Sequence, residues 1–128
     1  MERAKVTFEF LLRASPTILY QFLTTPSCLI RWFCDNVDIN VNTYIFMWED
    51  TSQSAELVDD IEEELLRFRW IDGDYEGEYL EFHISTAPVT DETILEITDF
   101  CDTDEVEDQK QLWDTQIQRL LKAMGAAG

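Results

Sequence analysis

Three stretches of the chain place large apolar side chains at every second position. "TYIFMWED" (residues 43–50) aligns Tyr44, Phe46 and Trp48, and "LLRFRWID" (65–72) aligns Leu66, Phe68 and Trp70. "YLEFHIST" (79–86) aligns Leu80, Phe82 and Ile84. Successive side chains of a β-strand point to opposite faces, so each triplet lines one face of a sheet. The chain must therefore build a sheet with one strongly aromatic face, and something must cover that face.

The same period runs through most of the sequence. "KVTFEFLL" (5–12) puts Val6, Phe8, Phe10 and Leu12 on one side and Lys5, Thr7 and Glu9 on the other, the pattern of a half-buried strand. Further strands are expected near 37–49, 53–58, 64–72, 79–86 and 92–99. The intervening "EDTS", "DDIEE", "DGDYEGE" and "APVTD" are rich in turn formers and suit antiparallel hairpins. In the last strand Leu95 and Ile97 share one phase and Ile94 takes the other, so periodicity leaves its inward face open.

Two short helices are expected after the first strand. Ser15-Pro16 and Thr25-Pro26 each pair a capping hydroxyl with proline at the first helical position, where a missing N–H costs nothing. Ile18, Leu19, Phe22 and Leu23 then recur at helical spacing, as do Leu29, Ile30, Trp32 and Phe33. The final segment predicts a long helix. Val106, Trp113, Ile117, Leu120 and Met124 fall every three to four residues along one face, and Gly125 ends it. Asp102 and Asp104, each followed three residues on by Glu105 or Glu107, are the expected caps. About twenty residues at a rise of about 1.5 Å give a rod of about 30 Å, long enough to cross a sheet. The expected fold is α+β: a curved antiparallel sheet of about six strands around a long C-terminal helix, in a single domain over residues 1–128.

Charge narrows the partners. Nine Lys and Arg stand against 27 Asp and Glu, a formal charge of −18. Such a chain repels phosphate backbones and anionic membrane surfaces, so neither nucleic acid nor membrane insertion is expected. Cys28, Cys34 and Cys101 form no CxxC pair, and the N-terminus "MERAKVTFEF" carries no apolar run of signal-peptide type. Both point to the cytoplasm.

Order and local strings together resemble a known group. "TTPSCLIRWFCDNVDI", "YIFMWED", "LRFRWID" and "LEITDFCDTDEVEDQKQLWDTQI" are similar to the START-like (SRPBCC, helix-grip) superfamily, which includes the pollen-allergen type and the activator of the heat-shock ATPase chaperone. The nearest likeness is to bacterial START-like domain proteins. The resemblance implies a helix-grip fold that holds an apolar ligand between sheet and helix, or acts as a scaffold for other proteins. The sequence departs from the chaperone-activator subgroup in its acidity and in "NVNTYIF", which lacks that group's glycine-rich turn.

Enzymatic constellations are weakly represented. His83, the sole histidine, alternates out of phase with Leu80, Phe82 and Ile84, so it should point away from the aromatic face. Neither GxSxG nor HExxH is present, which leaves no nucleophilic or zinc signature. "DGDYEGEYLEFH" (72–83) matches early positions of a calcium loop through Asp72, Asp74, Glu76 and Gly77, but its twelfth position is His83 where a bidentate Glu is required. A solvated turn is the better reading. The acidic runs "DDIEEE" (59–64) and Asp99 to Asp108 read as turns and a helix start. No catalytic residue, metal ligand or cofactor is assigned.

The aromatic face is the candidate site. Its strand members are Phe8 and Phe10, then Tyr44, Phe46 and Trp48, then Phe68, Trp70 and Phe82. Trp32 and Phe33 come from the short helices, and Trp113 and Ile117 from the last one. These side chains either fill a core or wall a pocket for a small hydrophobic or amphipathic ligand of lipid type. Ile45 and Met47 face the other way, a stripe that suits a homodimer contact or cover by a loop.

Overall fold

The computed structural model describes residues 2–71, 73 and 76–125. Strand β1 (Arg3–Leu12) leads into helices α1 (Pro16–Thr24) and α2 (Pro26–Leu29). Strands β2 (Asn36–Asn40), β3 (Thr43–Trp48), β4 (Thr51–Ile61), β5 (Leu65–Trp70), β6 (Tyr79–Thr86) and β7 (Thr93–Asp102) follow. A single 3₁₀ turn then precedes α3 (Val106–Ala123). The seven strands form one curved antiparallel sheet in the order β1-β7-β6-β5-β4-β3-β2. Consecutive strands are antiparallel neighbours at every strand-to-strand step but one. The exception is the segment carrying α1 and α2, which joins the two sheet edges.

The expected strand over 37–49 is two strands. The chain reverses at Val41-Asn42, with Val41 at φ 58, and pairs Val37 with Phe46 and Ile39 with Tyr44. No glycine advertises this turn, and a β-branched residue in the left-handed region is unusual. The strand count is therefore seven rather than about six.

Both proline-started helices begin where expected, but the expected side-chain cap forms at α1 only. The Ser15 hydroxyl accepts from the Ile18 amide at 3.2 Å, and Pro16 occupies the first turn. Thr25 makes no side-chain cap to α2, which amounts to one turn. Neither Asp102 nor Glu105 caps α3 through its side chain, so the expected capping boxes do not form. Asp102 is instead engaged by Arg3 at 2.9 Å, across the β1–β7 pair.

Alternation delivers the inner face as predicted. Tyr44, Phe46, Leu66, Phe68, Leu80 and Phe82 are buried, while His83 is exposed on the opposite side. Leu95 and Ile97, both 0% exposed, settle which face of β7 turns inward. Helix α3 covers this face with Trp113, Ile117 and Leu120. Trp32 and Phe33 fill the space between α2 and the sheet. Five rings close a circuit of contacts there. Phe33 meets Phe46 at 5.0 Å, Phe46 meets Phe68 at 5.7 Å, and Phe68 meets Phe82 at 6.4 Å. Phe82 meets Trp113 at 6.0 Å, and Trp113 returns to Phe33 at 6.4 Å. Most are edge-on, the geometry that ring quadrupoles favour.

Candidate functional site

Strands β3 and β5 end at Trp48 and Trp70, two residues beyond the last fully buried ring of each. There the cover thins. An open cleft of about 680 Å³ lies between these strand ends, the first half of α3 and the start of β6. Its aromatic walls are Phe33, Trp48, Trp70, Phe100 and Trp113.

Hydrogen bonds fix those walls. The Trp48 indole N–H donates to the Phe33 carbonyl at 2.9 Å, clamping the strand end to the segment after α2. The Trp113 indole N–H donates to the Asp99 carboxylate at 3.0 Å, and the Gln109 amide donates to the same oxygen at 2.6 Å. The other Asp99 oxygen accepts from the Phe100 amide at 2.8 Å. Asp99 thus joins β7 to α3 and holds the Trp113 ring against the cleft.

One lip is ionic. Arg3 makes a two-pronged contact with Glu78, at 2.8 and 2.6 Å, and reaches Asp102 at 2.9 Å. This guanidinium holds the Asp102 carboxyl below the usual carboxylate range, whereas Glu105, hydrogen-bonded to Asp102 and surrounded by acids, is raised. Deeper in, the Gln116 carboxamide oxygen is buried and finds no donor among the described residues. A buried acceptor left in this condition is costly unless something supplies a donor.

The twelve expected site residues divide. Phe33, Trp48, Trp70 and Trp113 face the cleft. Trp32, Tyr44, Phe46, Phe68 and Phe82 lie behind it in the packed core, and the Trp32 indole is satisfied by the Phe22 carbonyl at 2.8 Å. Tyr44 donates to the Thr24 carbonyl at 3.5 Å, and burial raises its hydroxyl pKa. Phe10 and Ile117 border a separate shallow groove of about 400 Å³, while Phe8 packs half-buried against the core. Sequence reading did not single out Gln109, Gln116, Arg3 or Glu78 and took Asp99 for part of a solvated acidic run. A signal existed for two of them: Asp99 continues the phase of Leu95 and Ile97, and Gln116 lies one turn from Trp113.

Other candidates fall elsewhere. Asp72 and Asp74 of the calcium-loop reading lie outside the described residues. Oxygens of Asp102, Asp104 and Glu105 approach within 4.8 Å of one another at the surface, one of them already engaged by Arg3. Cys34 is buried and its thiol is pushed up to about 11, while Cys28 is half-buried. Among the described residues, no helix is long and apolar enough to cross a membrane.

A curved antiparallel sheet closed by a C-terminal helix, with an aromatic cleft at one end, defines a helix-grip domain of ligand-binding or regulator type. The family model described as a START-like superfamily domain matches residues 1–126, and the chain belongs to that superfamily. Among solved structures, a Bacteroides fragilis protein (BfR322) is 35% identical, with a TM-score of 0.69 over 95% of this chain and 91% of that one. The Aha1 dimer from Colwellia psychrerythraea gives a TM-score of 0.81 at 18% identity, covering 98% and 99%. The AHSA1-like protein from Aeromonas hydrophila gives 0.74 at 15% identity, covering 98% and 94%. Curated proteins yield no match.

Proposed function

We propose that this chain is a binding module that receives a small amphipathic ligand in the cleft between the strand ends and α3, without transforming it. The carrying observation is the cleft itself, about 680 Å³ walled by Phe33, Trp48, Trp70 and Trp113 beside polar anchors. Small-molecule sites combine an apolar surface with a few placed polar groups in this manner. His83 on the opposite face of the sheet supports binding over catalysis. The cysteine usage supports a cytoplasmic setting, and the bacterial neighbours support a bacterial one.

Titrating fatty acids, sterols and flat aromatics while recording tryptophan emission and melting temperature tests the reading. A ligand should shift both, because three of the four tryptophans wall the cleft. If the whole panel leaves both unchanged, the module does not work this way.

A second reading has support of its own. The closed circuit of five rings is a filled core, as an interaction or chaperone-regulator-like domain would have. The Colwellia neighbour is described as a dimer. On this reading the protein elutes as a dimer on size exclusion and ignores the panel.

A further inference from the structure

Resting on the cleft reading above, we infer that the cleft selects an organic cation, a protonated aromatic or amphipathic amine, over neutral and anionic ligands. Three observations converge. The first is Asp99. Its donors are Gln109, Trp113 and the Phe100 amide, all neutral, and among the described residues no Lys, Arg or His pairs with it. This carboxylate lies half-buried on the cleft wall and, among the described residues, takes its hydrogen bonds from neutral donors.

The second is the balance of hydrogen-bonding groups. The orphaned oxygen of Gln116 is an acceptor and calls for a donor from the ligand. Among the described residues the cleft's one lining cation is Arg3, which is already engaged by two carboxylates, Glu78 and Asp102. A ligand carboxylate would meet the charges of Asp99 and Glu78 and would compete with Glu78 and Asp102 for the guanidinium. An ammonium meets acceptors without displacing anything.

The third is the walls. Trp48, Trp70 and Trp113 line the cleft, and the indole quadrupole attracts cations more strongly than other rings do. The net charge of −18 adds a long-range field, and a partly apolar cleft focuses it.

The test is a chemical-shift titration of the full chain, read at the indole N–H signals of Trp48, Trp70 and Trp113. Three naphthyl probes differ in one group: naphthylmethylammonium, its neutral isostere with carbon in place of nitrogen, and naphthylacetate. The cation should bind at least about tenfold tighter than the isostere, with the acetate weakest. Asp99→Asn still offers an oxygen to Gln109 and Trp113, and it should bring the cation down to the affinity of the isostere. Gln116→Lys leaves Asp99 in place and should weaken the cation at least about tenfold while helping the acetate. Equal affinity of cation and isostere in the native protein, or an undiminished preference in both variants, overturns the cation inference and leaves the cleft reading standing. If none of the three probes moves those indoles, both fall.

Discussion

The middle and the open end of the groove are built from the same residue types on the same strands, yet they differ in kind. Phe46 and Phe68 in the middle are each 1% exposed. Two residues further along the same strands, Trp48 and Trp70 are half-buried and face the cleft. All four are aromatic, and cover separates them. Over the middle lie Trp113, Ile117 and Leu120 of α3 together with Phe33. Toward the open end, α3 presents Gln109, Leu112 and Gln116, of which Leu112 is 51% exposed. A ring becomes core or wall according to where its strand lies beneath the helix.

Removing a ring from each region tests that contrast. Phe68→Ala should cost about 4 kcal/mol in urea unfolding, because Tyr44, Phe46 and Phe82 all lean on that ring and cannot collapse into the void. A loss of under about 1 kcal/mol would mean that the middle is loosely filled and the contrast false. Trp70→Ala removes a half-exposed ring whose aromatic contact is Phe46 at 6.2 Å, and should cost only about 1 kcal/mol. The same change should abolish most of the ligand-induced emission shift. If Trp70→Ala is as destabilising as Phe68→Ala, the open end is core and the cleft reading suffers with it.

Sequence pattern revealed the first region far better than the second. Alternation finds every buried ring of β3, β5 and β6, because a strand's period is fixed by geometry and one-residue slips would expose the whole set. Spacing along α3 finds Trp113, Ile117 and Leu120 for the same reason. The division between core and cleft is invisible at that level, since it depends on how far α3 extends over each strand. The Val41 turn is missed because a Val in the left-handed region contradicts local propensity, and sheet pairing overrides it. Asp99 is missed because a carboxylate beside Asp102 and Asp104 looks like solvated surface. Only its phase with Leu95 and Ile97 places it inside.

The ionic lip should respond to pH in a way the packed middle does not. Arg3 holds the Asp102 carboxyl below the usual range, so this group contributes stability that is present above that range and is lost as pH falls through its folded value. Glu105 runs the other way. Its raised pKa comes first from its hydrogen bond to Asp102, so it contributes while protonated and loses that contribution as pH rises through the raised value. Between the two, Asp102 is ionised and Glu105 still holds its proton, and both contributions coexist. The difference in melting temperature between the native chain and Asp102→Asn should therefore peak near about pH 4 to 5 and shrink on either side. Solvent screens both groups, so the effect is the smallest of the set. A difference that stays flat across the carboxylate range would show that Arg3 merely rests near Asp102. The lip would then owe its position to other contacts, that with Glu78 among them.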